Sequence, residues 1–112
     1  MNLLEQIEVV KKVVESSFEQ NSQYTGLTFL NEDEKSHIIQ IGASILCTKW
    51  NVGYPGGGFV QAVVDNDLMK SIGSADGTSL KGLKFFAQLM YNEGMPIALQ
   101  NKHINDAWKL YI

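Results

Sequence analysis

The chain has 112 residues, enough for one domain with a single core and little to spare. Hydrophobic residues make up 45% and charged ones 19%, which places it with globular rather than disordered chains. The net charge is −3 and all nine basic residues are lysine, so neither a global positive field nor the guanidinium fork that reads guanine is present, and a sequence-specific DNA reader is not expected.

Leu3, Ile7, Val10 and Val14 recur at spacings of four and three, with Leu4, Val13 and Phe18 widening the stripe and Glu5, Glu8, Lys12, Glu15 and Glu19 opposite. This pattern predicts an amphipathic helix over residues 1–20, broken by NSQYTG. Asn31 opens a second helix, with Glu34 at the capping-box position and Glu32, Asp33 and Glu34 at the positive end of the dipole. Its stripe is Ile38, Ile41, Ile45 and Leu46, with Ile39 beside it, and Gly42 and Ala43 allow a neighbouring helix to come close. It should end near Trp50. Cys47 stands alone on this helix, so no internal disulfide is available, and a reduced, buried cysteine fits a cytoplasmic setting.

A third helix is expected from Gly57 or Gly58 to about Ile72, closed by Gly73. A fourth starts at Asp76 or Thr78, carries Leu80, Leu83, Phe86, Ala87 and Met90 on one face with Phe85 and Leu89 beside them, and stops at Gly94 and Pro96. A short last helix over about 101–111 would set Ile104, Trp108 and Tyr111 together. LTFL at 27–30 and PIAL at 96–99 read as apolar loop anchors rather than strands. The fold class is all-α, a single compact domain of about five helices. The N-terminus lacks a signal-peptide layout, and no apolar run approaches the ~20 residues needed to span a membrane.

The stretch GYPGGGFVQAVVDNDLMKSIGSAD carries the candidate site. Gly56, Gly57 and Gly58 precede a helix start, where free N–H groups and the dipole favour an anion. Lys49, Trp50 and Tyr54 lie just upstream as a cation and stacking surfaces. The loop is no GxxxxGK[ST] motif, because no lysine and hydroxyl follow Gly58. A tight turn between helices explains the same glycines. Downstream, Phe59, Val60, Val63 and Val64 define an apolar side that then bears Asn66, Asp67, Lys70 and Ser71. Two accounts fit: either the helix passes from one partner to another, or Asn66 and Asp67 are held in a pocket or interface by hydrogen bonds. Asp67 and Lys70 at i, i+3 could equally be an ordinary surface pair.

Asp76 reads as a helix cap. His37 and His103 have no Cys or acidic partner at metal-ligand spacing, so no metal or cofactor is expected. No nucleophile–base arrangement is recognisable, and the chain does not read as an enzyme.

The pattern Pro55-Gly-Gly-Gly-Phe59, Gln61-Ala62-Val63-Val64, Asn66-Asp67-Leu68, Ala75-Asp76 and Tyr91-Asn92-Glu93 resembles a group of small proteins of bacteriophages, prophages and other mobile elements. The resemblance covers residues 53–96 and leaves the first 50 outside it. It brings no catalytic residues. It implies a mobile-element origin, action in a bacterial cytoplasm, and Phe59, Asn66, Asp67 and Asp76 as signature positions.

Two functions follow as expectations. One is a non-catalytic protein binding a small anionic, nucleotide-like ligand, such as a host defence signal to be sequestered. Its site would comprise Trp50, Tyr54, Gly56, Gly57, Gly58, Phe59, Asn66 and Asp67. The other is an interaction module that binds a host or phage protein, with the same glycines as architecture. The apolar first helix and the end of the chain, with Trp108, Leu110, Tyr111 and Ile112, suggest a homo-oligomer, a dimer foremost.

Overall fold

The Asn2 side chain accepts the Glu5 N–H and starts α1 (Leu3–Thr25). The structure, a computed structural model, describes residues 1–100; the helix expected over 101–111, with His103, Ile104, Trp108 and Tyr111, lies outside the described residues. Val10, Val14 and Phe18 form the buried stripe of α1, as the periodicity predicts, but Leu3 and Leu4 face solvent. NSQYTG does not break the helix where expected. Asn21 Nδ2 donates to the Ser17 carbonyl and Thr25 Oγ1 to the Asn21 carbonyl, so these polar side chains bond back onto the preceding turn. The helix closes at Gly26, whose left-handed φ of 74° sends its N–H back to the Ser22 carbonyl.

Leu27 is buried and Leu30 packs half-buried against the core, while Phe29 is almost wholly exposed. α2 (Glu32–Lys49) then begins with the full capping box: Asn31 accepts from the Glu34 N–H, and the Glu34 carboxylate accepts from the Asn31 N–H. α2 is the central helix and touches α1, α3, α5 and α6. Ile38, Ile45 and Leu46 on it are fully buried. Gly42 sits where α1 and α6 close on it: a Cβ there would stand 2.8 Å from Val14 Cγ1 and 3.0 Å from Leu89 Cδ1.

The long third helix of the sequence reading is two helices, α3 (Gly58–Val64) and α4 (Leu68–Ser74). The fourth is also two, α5 (Gly77–Lys81) and α6 (Leu83–Asn92). Asp76 caps α5 as expected, accepting the Ser79 N–H at 2.7 Å. The second break falls at Gly82, where a Cβ would collide with the Ile38 side chain, so the backbone itself is packed against α2. Beyond α6 a helical turn at 97–100 is anchored by the fully buried Leu99, with Ile97 outside. There is no strand among the described residues. Three ring contacts tie the core: Phe18 meets Phe85 edge-on at 5.5 Å, Phe59 meets Phe86 edge-on at 5.8 Å, and Phe85 lies 6.0 Å from Phe86. Among the described residues no helix is long and apolar enough to cross a membrane.

Two glycine substitutions should move stability in opposite directions. Gly42→Ala forces a methyl into the closest helix crossing and should cost about 1–3 kcal/mol, less the ~1 kcal/mol gained in helix propensity. Gly58→Ala meets open space at the first residue of α3 and should add about 0.4–1 kcal/mol. Urea denaturation of the two variants checks both signs.

Candidate functional site

Asp65, Asn66 and Asp67 form the elbow that divides α3 from α4. Asn66 takes the left-handed conformation, φ 59°, which a short polar side chain tolerates better than most. Asp67 then caps α4, its Oδ1 accepting the Lys70 N–H at 3.1 Å. Its own N–H donates to the Ala62 carbonyl, and its carbonyl accepts from Ser71 Oγ at 2.7 Å. The two polar residues are therefore not stranded in the middle of a helix. They are exposed and turn the chain, and the Asp67–Lys70 pairing is a cap to backbone rather than a surface ion pair.

The elbow holds α4 beside α6 and leaves a groove of about 260 Å³ between them. Val63, Leu68, Leu83, Ala87, Met90 and Tyr91 supply its apolar wall, and Asn66, Asp67 and Ser71 its polar edge. α4 is unusual in what it buries. Its only buried residue is Ser71, while Leu68, Met69 and Ile72 are 60%, 79% and 45% exposed, and Tyr91 across the groove is 82% exposed. α4 packs chiefly on α3, and among the described residues its apolar side chains are left largely uncovered. Scattered exposed hydrophobes are ordinary; several along one short helix bordering a groove mark a contact surface.

The glycine corner commits its first N–H within the fold. The Gly56 N–H donates to Thr48 Oγ1 at 2.9 Å, and the Gly56 carbonyl accepts from Gln61 Nε2 at 2.7 Å. A Cβ at Gly56 would collide with Val60 and with Ser44 Oγ, so this glycine lets the start of α3 lie against α2. Lys49 turns away from the loop and donates to the carbonyls of Met90 and Glu93 at the end of α6, at 2.7 and 3.3 Å. Trp50 is buried, 4% exposed, and offers no open face for a base; Tyr54 is fully outside. Phe59 packs on Phe86. Gly57 and Gly58 are open to solvent. Of the eight residues singled out from the sequence, Asn66 and Asp67 share the groove, and Trp50, Tyr54, Gly56, Gly57, Gly58 and Phe59 do not line it.

A second polar cluster joins α2 to α5. His37 Nε2 lies 3.0 Å from Asp76 Oδ2 and 3.5 Å from Ser79 Oγ. Both partners meet the same ring nitrogen, so the histidine does not relay between acid and hydroxyl as in a hydrolase triad. The Asp76 carboxylate instead accepts the Ser79 N–H and hydroxyl, and these bonds, with a smaller share from His37, hold its pKa below the ordinary value. Glu34 is lowered in the same sense, first by Lys81 Nζ, whose bond to its carboxylate is 2.6 Å long, and then by the Asn31 N–H. Burial pushes the Cys47 thiol up. Among the described residues no three His, Cys, Asp or Glu side chains gather as a metal site would.

Comparison of the chain with protein-family models, with curated proteins and with solved structures gives no match.

The sequence reading placed Leu83, Ala87 and Met90 on one face with Phe86 and did not single them out as the wall of a groove. Leu83, Phe85, Phe86, Ala87, Leu89, Met90 and Tyr91 form an arc wider than one helix face needs for a core. Phe85, Phe86 and Leu89 fill the core, and Leu83, Ala87, Met90 and Tyr91 form the second face.

A depressed carboxylate pKa stabilises the fold above the unfolded value, and that stabilisation is lost as pH falls through the folded value. Asp76→Asn keeps a capping side chain but cannot titrate. Its melting temperature should therefore fall less than the parent's on acidification through and below the carboxylate range, as thermal melts at a series of acidic pH values would show. Asp76→Ala, which removes the cap, should cost about 0.5–2 kcal/mol at neutral pH.

Proposed function

We propose that this is a non-catalytic interaction module that docks an apolar segment of another protein in the groove between α4 and α6. The observation that carries the reading is α4 itself, a short helix that shows Leu68, Met69 and Ile72 to solvent beside an apolar trough. Burying such side chains fully is worth roughly 1.5–3 kcal/mol each, against the several kcal/mol that association costs, so a useful affinity needs most of the groove to be filled. A rigid elbow supports this by fixing α4 before a partner arrives.

The resemblance to small phage and prophage proteins gives the setting: the bacterial cytoplasm, with a host or phage protein as partner. The anionic, nucleotide-like ligand ranks second. The Gly56 N–H already has an acceptor, Trp50 is buried, and the groove carries a carboxylate rather than a cation. Self-association fits the same class of function, because Met1, Leu3 and Leu4 at the start of α1 are also exposed.

A photo-crosslinking residue placed at Met69 should give one discrete adduct in bacterial lysate, and the same residue at Glu15 on α1 should not. Adding Leu68→Ser should suppress the adduct while leaving the fold intact, since that side chain is 60% exposed. Equal adducts from both positions, or none, would refute the docking reading. Calorimetric titration with linear and cyclic nucleotides should show no heat of binding; a saturable signal would restore the ligand reading.

A further inference from the structure

The groove has a charge as well as a shape. Among the residues that line it, Asp67 is the one charged side chain, and it stands with Asn66 and Ser71 on the groove's polar edge. Three ion pairs are formed among the described residues, Lys35–Glu19, His37–Asp76 and Lys81–Glu34. None of them engages Asp67. Lys70, three residues on, serves Asp67 with its backbone N–H. Asp65, two residues before Asp67, is exposed and is not part of the lining. Lys70 and Lys84 are exposed on α4 and α6 but are not part of the lining.

We infer that the segment docked in this groove presents an apolar anchor to Met90, Ala87 and Leu83 and a lysine or arginine to Asp67. The inference rests on the docking reading of the groove and adds the partner's chemistry to it. An apolar wall alone takes any greasy side chain. A single carboxylate at its edge selects among them, because an opposite charge is attracted, a neutral group is tolerated and an anion is repelled. The carboxylate is half committed, one oxygen to the cap of α4, which fixes its position. A carboxylate with both rotamer and position fixed loses less entropy on pairing than a free surface one.

The test uses three small probes that share a phenyl ring and differ in the end group: 2-phenylethylammonium, 2-phenylethanol and phenylacetate. Amide shifts of Asn66, Asp67, Ser71, Met90 and Tyr91 are followed by NMR in the folded 112-residue chain. The ammonium probe should bind about threefold tighter than the alcohol, phenylacetate weakest, with the order compressed in high salt. Asp67→Asn keeps the cap and removes the charge, so it should erase the preference and leave the alcohol unchanged. Three results overturn the inference: phenylacetate binding as well as the ammonium, the preference surviving Asp67→Asn, or saturating shifts confined to another surface. If the alcohol binds the groove without any order by charge, the inference fails and the docking reading stands. If no probe moves the groove amides, both fail.

Discussion

The absence of a side chain at Gly42 sets the distance at which three helices meet. α1 brings Val14 to this point and α6 brings Leu89 and Phe85, and a methyl would already be too close to the first two. Because α2 can be approached this tightly, α1 and α6 share one layer of buried residues, and Val14, Phe85 and Leu89 are fully excluded from water. The same logic recurs at the starts of two later helices. Gly82 brings the start of α6 against Ile38, and Gly56 brings the start of α3 against Ser44. A chain of this size has few large side chains to spend on a core, and close backbone contact lets those few reach each other.

What could be read from the sequence was local. The capping box of Asn31 and Glu34 and the cap at Asp76 depend on residues three apart, and both are present. The stripes of α1 and α2 repeat over several turns; Val10, Val14, Ile38, Ile45 and Leu46 are buried, while Ile7 and Ile41 are half-buried and Leu3 is exposed. The elbow at Asn66 was hidden because the flanking residues, VVDNDLM, carry helix-compatible side chains, and the decisive fact is a backbone angle. The split at Gly82 was hidden for another reason: it answers a contact with Ile38, more than forty residues earlier. His37 looked solitary because its partner lies thirty-nine positions away. The groove follows from the elbow, so it could not be seen before the elbow was.

Lys49 shows how the site region is held without being part of it. Its ammonium group satisfies two carbonyls at the end of α6, where a helix would otherwise leave them to water. This fixes the Met90–Tyr91 end of the groove to α2, the most constrained helix of the domain. The elbow fixes the other wall to α3. The apolar trough thus lies between two supports, each anchored on the same central helix, while α4 itself contributes almost nothing to the core.

Cys47 gives the domain an internal clock. The thiol is the chain's only one, it is 8% exposed, and burial raises its pKa, so its reactive thiolate form is rare while the fold is closed. A disulfide reagent can reach it only during excursions that lift α2 away from its neighbours. The modification rate at a saturating reagent concentration is then the rate of those excursions, and at a low concentration it is their equilibrium frequency. The central helix thereby reports its own opening through a single sulfur atom.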